Sequence, residues 1–136
     1  MRLNELTIKQ CQDGFRKKEF TSVELTEACL AKIEARNSKI NAFITVCEES
    51  AIEEAKKADE MIKKNEQKEL TGIPFAVKDA ICTKGIRSTG SAKILDNYIP
   101  PFDATVIKKI REQGGVLIGK NNCDSFGHGA SNENSM

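Results

Sequence analysis

The sequence lacks the features that would assign it at once to a nucleic-acid-binding or a membrane protein. It carries 21 lysines and arginines against 20 aspartates and glutamates, so no excess charge draws the whole chain to nucleic acid or anionic lipid. No apolar run approaches the roughly 18 residues of a membrane span, and the first residues contain no apolar segment of a signal peptide. A location in the cytoplasm or an organellar matrix is therefore expected, without a membrane partner.

Paired ligands for a metal or a disulfide are also missing. The five cysteines are odd in number, scattered and never spaced as CxxC, which favours reduced and mostly buried thiols. His128 is the only histidine, and Cys123 and Asp124 do not complete the set of ligands that zinc needs. A Cys–His nucleophile pair lacks a third, orienting group. Neither a metal nor a cofactor is predicted for this chain.

The first half of the sequence predicts three helices and one strand. Two capping boxes begin the first two helices, one from Thr7 to Gln10 and the other from Thr21 to Glu24. A strand is predicted at 42–46. From Glu48 to about Lys68 a charged helix follows, with acidic residues at its start, lysines at its end and a narrow apolar stripe. The stripe consists of Ile52, Ala55 and Ile62.

The second half predicts a strand, a helix and a second strand. The first strand covers 73–77, and a polar loop rich in small residues follows it. Asp103 is expected to cap a helix with Val106, Ile107 and Ile110 facing inward, and Gly114-Gly115 ends it. The all-apolar strand 116–118 reads as buried on both faces. This order predicts an α/β fold with a partly parallel sheet.

A near match to a phosphate-binding loop occurs at 114–121, GGVLIGKN. Its spacing approaches GxxxxGK[ST], but Asn121 replaces the hydroxyl that magnesium requires. The interior of the segment is Val-Leu-Ile, which favours a strand over a turning backbone that offers its amides to phosphate. A nucleotide site is therefore not predicted here.

Lys78 stands at the end of the first of these strands and has two interpretations. As a strand-end charge it would be solvated, whereas a buried lysine is costly unless it is deprotonated. A neutral amine beside a serine hydroxyl can act as a base. Strand alternation sends Lys78 and Asp79 to opposite faces, so Asp79 is not automatically its partner. Residue spacing leaves both interpretations open.

Three blocks of the sequence together resemble the amidase signature family. They are LTGIPFAVKDAICTKGIRSTGSAKIL, YIPPFDATVIKKI and GGVLIGKNNCDSFGHGASNENS. The resemblance implies the amino-terminal part of the amidase-signature α/β fold, a mixed sheet flanked by helices that is incomplete in this chain. It also implies one domain, with residues 1–70 mainly helical around one strand and residues 71–136 at the start of the catalytic core.

Within that family the blocks are most similar to the glutamine-hydrolysing, A-type subunits of tRNA-dependent amidotransferases, which are heterotrimers. The resemblance implies that Lys78 is the catalytic base, acting through a serine with a cis peptide bond on a nucleophilic serine. The loop with His128, Gly129 and Ser131 is expected to bind glutamine. Ammonia would pass to a B-type partner, which amidates the misacylated tRNA with ATP and magnesium, while a small C-type partner holds the two together.

The sequence departs from this family pattern in two places. His128 stands where methionine is common in the glutamine-hydrolysing subunits, and the glycine- and serine-rich blocks with both catalytic serines are missing. The chain alone is therefore expected to be an inactive amino-terminal fragment. A stand-alone amidase for small amides and a non-catalytic scaffold fragment are the alternatives.

Overall fold

The computed structural model describes residues 2–135, which form four α-helices and three β-strands. Short 3-10 turns precede α1, lie between β2 and α4, and follow β3. The helices are α1 (Ile8–Lys17), α2 (Ser22–Ile40), α3 (Glu48–Lys63) and α4 (Thr105–Glu112), and the strands are β1 (Phe43–Val46), β2 (Pro74–Lys78) and β3 (Val116–Asn121).

The first two helices begin where the capping boxes predict. The side chain of Thr7 accepts from the backbone N–H of Gln10, and Gln10 accepts in return from the backbone of Thr7. Thr21 and Glu24 repeat the arrangement at the start of α2. Each pair satisfies two amides that have no partner inside the helix. Both predicted helix starts are confirmed.

The sheet is mixed, with β3 in the centre. Its order is β1-β3-β2; β1 runs antiparallel to β3, and β2 runs parallel to it. Val116 and Ile118 pack with alanines of α3 on one face, while Leu117 packs with Val77 and Ile107 of α4 on the other. The predicted α/β class, the mixed sheet flanked by helices and the burial of 116–118 are confirmed.

An irregularity in β3 decides how its last residues point. In the pairing with β2, Phe75 lies opposite Leu117 but Ala76 lies opposite Gly119, so β3 contains one extra residue. Lys120 consequently lies opposite Val77 and faces the α4 side of the sheet. At Gly119, an added Cβ would lie 2.5 Å from the carbonyl oxygen of Thr45. Gly119 thus serves close strand packing, and the near match to a phosphate loop is a strand.

Helix α3 ends earlier than the predicted boundary near Lys68. Asn65 adopts a left-handed conformation with φ 58°. Its N–H donates to the carbonyl oxygen of Ile62, and the N–H of Glu66 donates to that of Met61, the pair of bonds typical of a Schellman motif. The predicted stripe is also partly wrong, because α3 packs through alanines while Ile52 is only half-buried. The buried residues of α3 are Ala51, Ala55 and Ala58.

The prediction that Asp103 caps α4 is wrong. The residue at the cap position is Ala104, and its side chain makes no capping bond. The carboxylate of Asp103 instead accepts from the backbone N–H of Lys84 at 2.7 Å and from the guanidinium of Arg111 at 3.0 Å. Val106, predicted to face inward, is 48% exposed, whereas Ile107 is fully buried.

All five thiols are free; those of Cys11, Cys47 and Cys123 are buried, and those of Cys29 and Cys82 are half-buried. Across residues 2–135, no helix is both long enough and apolar enough to cross a membrane.

Candidate active site

Lys78 is the last residue of β2, and its side chain reaches the loop that follows β3. The side chain is exposed within residues 2–135. A Cβ placed on Gly127 would lie 3.0 Å from the Lys78 Nζ, so the end of the Lys78 side chain lies next to this glycine. Gly127 has φ +74°, a conformation that favours glycine. The structure therefore brings Lys78 to the loop that contains the other predicted site residues.

That loop turns sharply just after the sheet. Ser125–Gly127 forms a single 3-10 turn in which Phe126 is left-handed, with φ 55° and ψ 15°. The N–H of Phe126 donates to the carbonyl oxygen of Gly90 at 2.7 Å, and the N–H of Gly127 donates to that of Asp124. The turn is thereby tied to the segment around Gly90.

The predicted substrate-binding residues lie beyond this turn, on the surface. His128, Gly129 and Ser131 are all exposed. Gly129 lies against the carboxylate of Asp124, and the Ser131 hydroxyl donates to Glu133 at 2.8 Å. Among the hydrogen bonds and ion pairs of residues 2–135, none joins Lys78 to His128 or Ser131. Their roles in binding remain predictions.

Asp79, the residue after Lys78, is fully buried and holds a neighbouring segment. Its Oδ2 accepts from the backbone N–H of Thr89 at 2.9 Å, from the Thr89 hydroxyl and from the N–H of Ser91 at 3.3 Å. Its backbone N–H donates to Asn121 of β3, and its carbonyl oxygen accepts from Gly90. Asp79 thus fixes residues 89–91 against the ends of β2 and β3.

Lys120 is the buried lysine of this region, with no exposed surface. Its Nζ donates to the carbonyl oxygen of Ile81 at 2.8 Å and to the hydroxyl of Ser88, and it lies 3.8 Å from Asp79 Oδ1. Within the described chain, that Oδ1 accepts no hydrogen bond. Burial lowers the pKa of Lys120, and the nearby negative charge of Asp79 opposes this shift.

The pair of Asp79 and Lys120 was not predicted from the sequence. The pattern that draws attention to Lys78, an apolar strand ending on lysine, is present again at Val116–Lys120. In the sequence, this second strand also resembles a phosphate loop, which does not predict a buried lysine. The extra residue in β3 turns Lys120 inward, and Gly119 is its only signal in the sequence. Over residues 2–135, no group of three or more histidines, cysteines and acidic residues could hold a metal ion.

Comparison with known proteins gives consistent matches over nearly the whole chain. Residues 24–136 match the family described as Amidase. The chain is 50% identical over 133 residues to the A-type subunit of glutamyl-tRNA(Gln) amidotransferase from Dehalococcoides mccartyi, covering 98% of this chain and 27% of that protein. It is 49% identical over 135 residues to the corresponding protein of Geotalea daltonii, covering 99% of this chain and 28% of that protein.

Solved structures give similar matches. The fold is similar to that of the A-type subunit of glutamyl-tRNA(Gln) amidotransferase from Thermotoga maritima, with a TM-score of 0.70 and 32% identity, covering 98% of this chain and 26% of that one. It is also similar to peptide amidase from Stenotrophomonas maltophilia, with a TM-score of 0.84 and 26% identity, covering 90% of this chain and 26% of that one. The chain therefore spans about a quarter of the length of these proteins.

Proposed function

Because this chain belongs to the amidase family, we propose that it forms the amino-terminal part of the glutamine-hydrolysing subunit of a tRNA-dependent amidotransferase. One observation carries the proposal: the chain is 50% identical over 133 residues to such an A-type subunit, whereas it is 26% identical to a peptide amidase. Residues 1–70 would form a mainly helical part around one strand, and residues 71–136 would begin the catalytic core.

In the proposed reaction, Lys78 is the general base. It takes a proton through a bridging serine from a nucleophilic serine, which attacks the side-chain amide of glutamine and releases ammonia. Water then hydrolyses the acyl enzyme to glutamate. The sequence blocks that carry both serines in the family are absent from these 136 residues. The position of Lys78 at a strand end, against the loop of His128, Gly129 and Ser131, supports a role for that loop in binding glutamine.

The partners follow from the same proposal. Ammonia passes to the amidating, B-type partner, which activates Glu-tRNA(Gln) with ATP and magnesium and converts it to Gln-tRNA(Gln), and the small C-type partner joins the two. ATP and magnesium therefore belong to the amidating partner. Under this proposal the chain acts in protein synthesis, in the cytoplasm or an organellar matrix.

The test uses a hybrid subunit in which residues 2–135 replace the matching segment of the D. mccartyi relative, assembled with the other two proteins of that heterotrimer. The hybrid is expected to support glutamine-dependent amidation of Glu-tRNA(Gln). An assembled hybrid that hydrolyses simple amides but not glutamine would contradict the proposal and favour a stand-alone amidase.

The role of Lys78 is tested in the same hybrid by Lys78→Arg. A guanidinium stays protonated and cannot act as a base, so glutamine hydrolysis should fall at least about 100-fold. Amidation with free ammonium should be unchanged, because that step belongs to the amidating partner. The control is Lys84→Arg at an exposed lysine of the following loop. Near-normal glutamine hydrolysis by Lys78→Arg would make Lys78 a solvated strand-end charge.

A further inference from the structure

The buried pair of Asp79 and Lys120 belongs to a closed path of contacts that begins and ends at Lys78. Asp79 follows Lys78 directly and holds residues 89–91. The hydroxyl of Ser91 accepts from the backbone N–H of Cys123 at 3.0 Å, and Gly90 accepts from Phe126. The residue after Phe126 is Gly127, which lies next to the Lys78 Nζ. Three separate segments, 78–79, 88–91 and 123–127, are thus joined.

Lys120 holds the loop that connects Asp79 to Thr89. Its two hydrogen bonds go to Ile81, near the beginning of this loop, and to Ser88, at its end. A buried ion pair is weak evidence for stability, because the cost of removing two charges from water can exceed the attraction between them. Here the bonds of both residues are directed to the segments that flank Lys78. These bonds indicate that the pair positions the segments around Lys78.

We propose that Asp79 and Lys120 are positioning residues. Together they hold Lys78 in a fixed position relative to the 123–127 turn. The inference rests on the proposed function, since it names Lys78 as the base. Neither residue touches substrate; both act through Lys78 and the turn. Misplacement of a base lowers the rate of the chemical step far more than it lowers binding.

The experiment compares Lys120→Met, Asp79→Asn and the double variant in the hybrid subunit with its partners. Methionine keeps most of the length and apolar volume of lysine without the charge. We expect kcat for glutamine hydrolysis to fall at least tenfold, with KM within threefold of the parent and ammonium-dependent amidation unchanged. Lys109→Met, at an exposed lysine of α4, is the matched control.

A second comparison separates positioning from general stability. If Lys120 acts through Lys78, then Lys120→Met should have no further effect on the residual hydrolysis of a Lys78→Ala hybrid. A purely structural role would lower hydrolysis by the same factor in both backgrounds and would overturn the proposal. An unchanged kcat in Lys120→Met would overturn it as well.

Hydrogen exchange keeps the inference testable if the proposed function itself fails. The backbone amides of Ser91 and Phe126 should exchange at least tenfold faster in Lys120→Met than in the parent, while those of α1 should not change. If the unsubstituted hybrid hydrolyses another amide instead of glutamine, only the proposed function is contradicted. The same kcat comparison is then made with that amide. Unchanged exchange at both amides would overturn the positioning role whatever the substrate.

Discussion

Burial controls the chemistry of the cysteine side chains at the residue scale. Desolvation raises the pKa values of Cys11, Cys29 and Cys47, and the charge of Glu54 raises that of Cys47 further. A raised pKa leaves less thiolate at a given pH, and the thiolate is the form that reacts with electrophiles.

The prediction is that these three thiols are protected from alkylation in the folded hybrid subunit. At pH 8, iodoacetamide should modify each of them at least tenfold more slowly than in the same protein unfolded in urea, as followed by peptide mass spectrometry. The urea sample is the control for intrinsic reactivity. Equal rates in the two samples would show that these side chains are not buried.

At the scale of the elements, signals within one helix turn could be read from the sequence, and tertiary contacts could not. The capping boxes at Thr7 and Thr21 involve partners three residues apart, so the sequence alone predicts them. Asp103 has the residue type of a cap, but the guanidinium of Arg111 and a distant backbone amide offer its carboxylate better partners. Likewise, Lys120 is buried because of an extra residue in β3, which depends on pairing with β2.

One contact between helices carries the next prediction. The carboxylate of Asp59 in α3 accepts from the backbone N–H groups of Ser22 and Val23 at 2.7 and 3.2 Å. These amides open α2, where a negative charge also meets the positive end of the helix dipole. Asp59→Ala should therefore destabilise the start of α2 by about 1–2 kcal/mol.

The measurement is hydrogen exchange by mass spectrometry on the hybrid subunit, with peptides that cover the start of α2. Exchange at Ser22 and Val23 should become faster, while exchange in β3 should not. The matched control is Glu53→Ala, which removes an exposed acid from the same helix. If exchange at the start of α2 is equally slow in both variants, Asp59 does not cap this helix.

At the scale of the whole molecule, the described chain leaves apolar side chains and two strand edges uncovered. Ile94, Ile99 and Phe102 are 80%, 58% and 53% exposed and lie in one stretch, and Phe126 is 55% exposed beside the candidate site. In the sheet of residues 2–135, β1 and β2 each pair on one side only. Exposed apolar groups next to unpaired strand edges favour association between copies.

We therefore predict that the isolated 136-residue chain self-associates and does not hydrolyse glutamine. Light scattering after size exclusion should give masses well above 15.0 kDa. Replacing Ile94, Ile99 and Phe102 together by lysine should shift the distribution toward the monomer, because the apolar surface is removed and like charges repel. A control with lysine at Ile40, an exposed residue at the end of α2, should not. If the parent chain is monomeric at all concentrations, these side chains do not drive association. Measurable glutaminase activity would mean that residues 1–136 contain a nucleophile other than the two serines of the family.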